Sequence, residues 1–154
     1  MFLYRDTMQC YTYDDKGNVV STADYAKQQS TFEYNDNNLT KIINPNGTEY
    51  TYEYDSNKNL KKASSNVGVD YDYTYDSYGN ATSAVVSSET YGKTITSSAT
   101  YQNNGNYPHT VTDSRGKTTT YAYDTVRGLQ TGVTDAKGNS TSYSYNSLND
   151  RLIR

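Results

Sequence analysis

Polarity along this chain alternates with a period of two, and tyrosine marks one of the two phases. Tyr11 and Tyr13 share a phase, as do Tyr50, Tyr52 and Tyr54, then Tyr71, Tyr73 and Tyr75, Tyr121 and Tyr123, and Tyr143 and Tyr145, with Thr and Glu filling many positions between them. Side chains two residues apart fall on the same side of a strand, so the pattern predicts half-buried strands with tyrosine rings along one face. Aromatic and β-branched residues favour that pleated surface. No window longer than a turn or two keeps apolar residues at helical spacing, and no helix is expected.

Turn residues punctuate these strands at fixed offsets. Each tyrosine strand ends at Asp or Asn, whose short side chain can bond the backbone two residues on, and three residues later comes Gly17, Gly79 or Gly105. Asn38 and Asn149 take the glycine's place in two further copies, as the residues that best tolerate positive φ after glycine. Lys58 and Arg127 depart from the rule, and Gly128, one place late, predicts a different loop there. A second turn recurs at Asn44–Gly47, Asp113–Gly116 and Asp135–Gly138. From Gly47, Gly68, Gly116 and Gly138 the next signature tyrosines lie five and seven residues on. Two turns per period leave two strands of about six to eight residues, and the chain should run up and down as an antiparallel meander. The stretch 83–107 holds a copy about five residues longer, read as a longer hairpin or a bulge.

The residue after each signature tyrosine gives the repeat its register: Asp14, Asn35, Asp55, Asp76, Gln102, Asp124 and Asn146, at intervals of 21, 20, 21, 26, 22 and 22. These seven copies make residues 1–154 one array, in which each unit buries its face only against its neighbours. The signature set is Tyr11, Tyr13, Asp14 and Gly17; Tyr34 and Asn35; Tyr52, Tyr54 and Asp55; Tyr73, Tyr75, Asp76 and Gly79; Tyr101 and Gly105; Tyr121, Tyr123 and Asp124; and Tyr143, Tyr145 and Asn146.

Composition then narrows the function. Leu, Ile, Val and Phe number only 21 of 154 residues, a level at which many chains stay disordered. Nineteen tyrosines and a net charge of −3 point instead to a folded chain with a tyrosine-based core. With 14 basic against 17 acidic residues and no basic stripe, nucleic acid is excluded as a partner. No run reaches the eighteen or so apolar residues of a membrane span, so no membrane insertion is expected, and the opening residues lack the features of a signal peptide.

Catalytic chemistry finds no foothold. His109 has no second histidine or partner motif and reads as a surface turn residue, and Cys10 reads as a free thiol. Asp14 with Asp15, Asp55, Asp76 and Asp124 could suggest calcium, but a carboxylate recurring at every turn start is explained by backbone capping. No calcium loop, zinc cluster, phosphate loop or serine elbow occurs, so no metal or cofactor is expected. Of four sequons, starting at Asn38, Asn46, Asn80 and Asn139, the Asn46-Gly47 pair is better read as a tight turn.

The motif Tyr-Asp-x-x-Gly-Asn followed by an aliphatic residue, with an Asp-x-x-Gly turn about thirteen residues before the next Tyr-Asp, resembles the YD repeats of the Rhs, bacterial wall-associated and teneurin families. The segments "YTYDDKGNVV", "YEYDSNKNL", "YTYDSYGNAT" and "YAYDTVRGL" carry the match. The resemblance implies a fragment of a large secreted or cell-surface protein whose hairpins wind into a hollow β-shell. In relatives of the toxin type that shell encloses a C-terminal toxic domain, and in teneurins it is a rigid part of an adhesion receptor. No segment resembling the self-cleaving end of the bacterial shell is present, so the chain is expected to be an open stretch of wall, non-catalytic, with the rest of the shell and an enclosed C-terminal domain as partners. The alternative is an adhesion module whose tyrosines stack on a glycan or cell-wall polymer; the absence of Trp weighs against the tryptophan-rich choline-binding type. Unpaired strand edges at a cut end also predict that the isolated fragment self-associates.

Overall fold

The computed structural model describes residues 9–102 and 104–153. Among them there is no helix. The strands are β1 (Cys10–Tyr13), β2 (Val19–Ala23), β3 (Gln29–Asn35), β4 (Asn38–Ile43), β5 (Glu49–Tyr54), β6 (Leu60–Ser65), β7 (Val69–Tyr75) and β8 (Ala81–Ser88). They continue as β9 (Lys93–Gln102), β10 (Tyr107–Thr112), β11 (Thr118–Asp124), β12 (Leu129–Thr134), β13 (Ser140–Ser142), β14 (Ser144–Tyr145) and β15 (Leu152–Ile153). From β1 to β13 every strand pairs with its neighbours in sequence, giving a 13-stranded antiparallel meander, while β14 and β15 form a separate ribbon. The long copy at 83–107 is a longer hairpin, with strands of eight and ten residues. Contacts divide the chain into two compact units along a boundary that crosses β7, β8 and β9: Met1–Tyr71 with Ser87–Lys93, and Asp72–Val86 with Thr94–Arg154.

In the first unit the hairpins β1–β2, β3–β4 and β5–β6 repeat one irregularity. Thr12 pairs with Ser21 but Tyr13 with Val19; Glu33 pairs with Lys41 but Tyr34 with Leu39; Glu53 pairs with Lys62 but Tyr54 with Leu60. One residue is therefore extra on the return strand, directly opposite the signature tyrosine. This is a β-bulge, which breaks the ladder locally and leaves a backbone group to be satisfied elsewhere. The second unit repeats it in β11–β12, where Ala122 pairs with Gly132 and Tyr123 with Gln130. In β9–β10 the bulged residue is His109, so this histidine is an exposed strand residue and not part of a turn.

The two turn classes distinguished in the sequence share one geometry. At Asp14 the Asp14 N–H donates to Asn18 O (2.9 Å) and the Gly17 N–H to Asp14 O (3.1 Å); at Asn44 the Asn44 N–H donates to Thr48 O and the Gly47 N–H to Asn44 O, both at 2.9 Å. Asp55, Asp76, Asp113 and Asp135 repeat the pair. The fourth residue lies at positive φ, which is why glycine recurs there. Lys58 nevertheless takes that conformation at φ 67, so its copy keeps the common turn and does not depart from it. Lys27, at φ 61, closes a further such turn after Asp24.

Two expectations about asparagine are corrected. Asn38 is a strand residue paired with Asn35, and positive φ falls instead on Asp36 (48°) and Asn37 (63°). A two-residue loop with both central residues in the left-handed region matches the strand twist, and here it displaces the longer turn. In the last copy the positive φ belongs to Asp150, not Asn149, because that loop closes one residue later, from Asp150 N–H to Asn146 O at 3.1 Å. The Asp124 loop closes in the same late way, from Gly128 N–H to Asp124 O at 2.8 Å.

The two faces of the sheet differ in chemistry. Phe32, Tyr34, Tyr52, Tyr54, Tyr73, Tyr75, Tyr121 and Tyr123 are half-buried, while Glu33, Thr51, Glu53, Asp72, Thr74 and Ala122, which alternate with them, are exposed. That second face carries cross-strand hydroxyl pairs: Thr12 with Ser21 (2.6 Å), Thr74 with Thr82 (2.8 Å), Thr100 with Thr110 (2.7 Å), Thr112 with Thr118 (2.9 Å) and Thr134 with Ser140 (2.8 Å). It also carries the ion pairs Lys41–Glu49 (2.9 Å) and Lys62–Asp70 (3.6 Å). The expected tyrosine core is not a closed one: among the described residues none is fully buried. A ring lying on one side of a sheet keeps its outer surface in solvent, so the tyrosines reach only partial burial.

Candidate functional site: the tyrosine face and its turn row

In four signatures the second tyrosine reaches back to the preceding hairpin. The Tyr34 hydroxyl donates to Val19 O (3.0 Å), that of Tyr54 to Leu39 O (2.9 Å), that of Tyr101 to Ala81 O (3.1 Å) and that of Tyr145 to Gln130 O (2.7 Å). Val19, Leu39 and Gln130 are the residues paired with the previous signature tyrosine, at the bulge. A carbonyl beside each of these bulges thus accepts a phenol from the next repeat. Tyr123 uses its ring instead, stacked on Tyr107 with centroids 4.9 Å apart and planes at 28°. A Cβ added at Gly128 would lie 3.0 Å from the Tyr107 hydroxyl, so glycine keeps that turn clear of the ring. In β1, Tyr13 is 61% exposed and the Tyr11 hydroxyl bonds Gln9 Oε1 (2.8 Å).

The Asp of each signature is consumed locally. Asp55 Oδ1 accepts the N–H groups of Asn57 and Asn59, both at 2.9 Å, and Oδ2 accepts Asn59 Nδ2 at 3.0 Å. Asp14 with Asn18, Asp76 with Asn80 and Asp135 with Asn139 do the same. At Asp14, Asp55 and Asp135 the asparagine side chain, followed by its backbone N–H, holds the carboxyl below the usual carboxylate range. At Asp76 burial pushes up, yet the hydrogen bonds of Asn80, Tyr78 and Gly79 outweigh it and the net shift is downward. Asp113 has lysine where the asparagine would be. The N–H groups of Lys117 and Arg115 lower its pKa, and the Arg115 guanidinium holds Oδ2.

Neighbouring turns within each unit are also tied to one another. Asn18 Nδ2 donates to Asn37 Oδ1 (3.0 Å), and Lys58 Nζ to Asp36 Oδ2 (2.9 Å), which lowers the Asp36 pKa. In the second unit Asn80 Nδ2 donates to Gly105 O (3.0 Å), Tyr78 Oη to Asn104 Oδ1 (3.3 Å), and Arg127 grips Asp150 and Asn146 O. A hollow beside the first turns is lined by Asp14, Asp15, Lys16, Asn18, Tyr34, Asp36 and Asn37, but Asp14 is held by its own turn and Asp36 by Lys58. His109 and Cys10 are exposed. Among the described residues no group of three or more His, Cys, Asp or Glu converges as metal ligands, and no helix is long and apolar enough to cross a membrane.

The second turn glycines, Gly47, Gly68, Gly116 and Gly138, lie at φ between 73 and 87°, as do Gly17, Gly79 and Gly105. Asn35 closes a two-residue loop, and Asn146 accepts the Leu148 N–H on Oδ1 (2.8 Å). The tyrosine hydroxyl contact is the element the sequence reading missed. Its signal was present: the position before the Asp or Asn is tyrosine in all seven copies, whereas the position two before it also accepts Phe32 and Ala99.

A hairpin that ends Tyr-Asp, turns at Gly or its substitute and is latched to its predecessor by phenol and turn amides is the unit that a family model also recognises. Residues 35–70 match the RHS repeat model. The RHS match spans most of β3–β7 and includes the Tyr54 latch and the Asp55 turn. Among solved structures this chain is similar to the TcdB2-TccC3-Cdc42 complex (15% identity, TM-score 0.45) and to the Tc holotoxin pore of Photorhabdus luminescens carrying a TccC3 variant (15%, 0.45). A crystal structure of TcdB2-TccC3 without its hypervariable C-terminal region gives 16% and 0.44. In each case 94% of this chain is covered, and it spans 11% of the other chain's length. No curated protein matches the sequence.

Proposed function

We propose that the chain is a non-catalytic length of wall from a YD-repeat β-shell, built of seven hairpin copies, in a secreted or cell-surface protein whose shell encloses a C-terminal toxin or effector domain. The observation that carries this reading is the backward latch. Tyr34, Tyr54 and Tyr145 each bond the carbonyl beside the bulge of the hairpin before, and Tyr101 bonds Ala81 O, so the signature tyrosines join successive repeats. The RHS match over residues 35–70 supports the same assignment. One tyrosine-lined face, apolar on its ring planes, can touch a guest without requiring a particular guest sequence. The glycan-binding alternative draws less support, since the two most exposed tyrosines among the described residues, Tyr25 and Tyr91, sit on different turns.

Limited proteolysis of the full-length protein that carries this segment, read by mass spectrometry, tests the proposal. A downstream domain that resists protease only while the repeats are intact is the expected result. A domain digested at the same rate with the repeats cleaved or whole would overturn encapsulation and leave a spacer or adhesin.

A further inference from the structure

β9 is ten residues long and its neighbour β10 only six. Their pairing runs from Gln102↔Tyr107 to Ser98↔Thr112 and stops, because the chain turns at Asp113 into β11. Among the described residues Thr94–Ser97 therefore has β8 as its one neighbouring strand, and its other edge carries no ladder. All four residues are exposed, Ile95 at 54%. Open edges present unpaired N–H and C=O groups, and proteins blunt them with charge, proline or bulges. Thr94-Ile95-Thr96-Ser97 has none of these and is rich in β-branched residues.

We propose that this edge pairs with the same edge of a second copy of the chain, antiparallel about a two-fold axis at Ile95. The sequence is self-complementary in that register. Thr94 faces Thr96 of the other copy, which reproduces the cross-strand hydroxyl pairs at 2.6–2.9 Å found on five other strand pairs of this sheet. Ile95 meets Ile95 and covers its exposed surface, and Ser97 falls opposite Lys93, so lysine never faces lysine. Such a pairing uses one patch on both copies and closes as a dimer. It is distinct from association through β1 or the tyrosine face, and it goes beyond the wall reading above. A single short strand pair buries well under the roughly 1,200 Å² of a stable interface, so the dimer is weak and best detected by trapping.

The test uses single-cysteine variants in a Cys10→Ser background, oxidised with copper phenanthroline. Ile95→Cys places two thiols directly across the axis, at the Cα separation a disulfide accepts, about 4.5–5.5 Å. Ser97→Cys places them four residues out of register, about 13 Å apart. The expected result is at least tenfold faster dimer trapping for Ile95→Cys than for Ser97→Cys, with Ile95→Lys losing the dimer seen by sedimentation. Equal trapping rates, no trapping at either position, or a dimer that survives Ile95→Lys each overturn the proposal. Far-ultraviolet circular dichroism identical to the parent shows that these exposed substitutions leave the fold intact.

Discussion

Removing the hydroxyl of Tyr54 isolates the latch from the ring that carries it. In Tyr54→Phe the ring stays in its half-buried place, and only the 2.9 Å bond to Leu39 O is lost. A net hydrogen bond contributes about 1 kcal/mol. Leu39 O sits at a bulge on a sheet face that solvent reaches, so water can replace part of the bond and the loss should stay near that value and not approach the larger penalty of a sealed acceptor. One kcal/mol is roughly a fivefold drop in the folding equilibrium constant, and about 2–4 °C in Tm for a domain of this size. The matched control is Tyr52→Phe. Its hydroxyl has no described hydrogen-bond partner, and Phe32 occupies the equivalent place one repeat earlier, so the change should stay within about 0.5 kcal/mol. Tyr34, Tyr54 and Tyr145 close three separate latches, so the triple Phe variant should lose about 3 kcal/mol if the sites add. Urea unfolding of the three variants beside the parent measures this. Equal effects of Tyr52→Phe and Tyr54→Phe, or a triple variant as stable as the parent, would refute the idea that the phenol and not the ring joins the repeats.

Acid should weaken the fold. Asp14, Asp36, Asp55, Asp76, Asp113 and Asp135 all have folded-state pKa values below 3.8; the stability they add is present above the unfolded carboxylate pKa and disappears as pH falls through the lowered ones, so Tm measured against pH should drop below about pH 4. Burial raises the Tyr52 and Tyr123 pKa values above 10.0; their contribution is complete below the unfolded tyrosine value and is lost as pH rises past the folded one, giving a second fall in Tm under alkaline titration. Glycine replacement should depend on surroundings: Gly17→Ala costs only the left-handed backbone, about 1–2 kcal/mol, whereas at Gly105 a Cβ would also meet Tyr78 Cβ at 2.8 Å and Asn80 Nδ2 at 2.5 Å, so thermal melts should rank Gly105→Ala clearly below Gly17→Ala. Lys27 holds φ 61 without a glycine, and Lys27→Gly should raise stability by up to about 1 kcal/mol in urea titration.

Strands and turns were legible because both are local. Alternation at Tyr50, Tyr52 and Tyr54 sets which face a residue occupies, and Asp-x-x-Gly sets the reversal within four residues. What escaped notice depended on a neighbour. The two-residue loop at Asp36-Asn37 wins over the longer turn through the twist of its flanking strands, and Lys58 adopts a glycine's backbone because its turn and its bond to Asp36 both hold it there. The bulges opposite Tyr13, Tyr34 and Tyr123, and the phenols bonded beside them, appear only when successive hairpins lie side by side. Tyrosine alternation likewise suggested a core, yet could not reveal that a ring on one side of a sheet stays half in water.

Every latch has a direction. Tyr34, Tyr54 and Tyr145 each donate to a carbonyl fifteen residues nearer the N-terminus, and Tyr101 to one twenty residues back. A chain delivered N-terminus first, from a ribosome or through an export channel, therefore presents each phenol after its acceptor has been made. The newest hairpin always docks on one already complete, without waiting for distant sequence, so assembly can keep pace with delivery one repeat at a time.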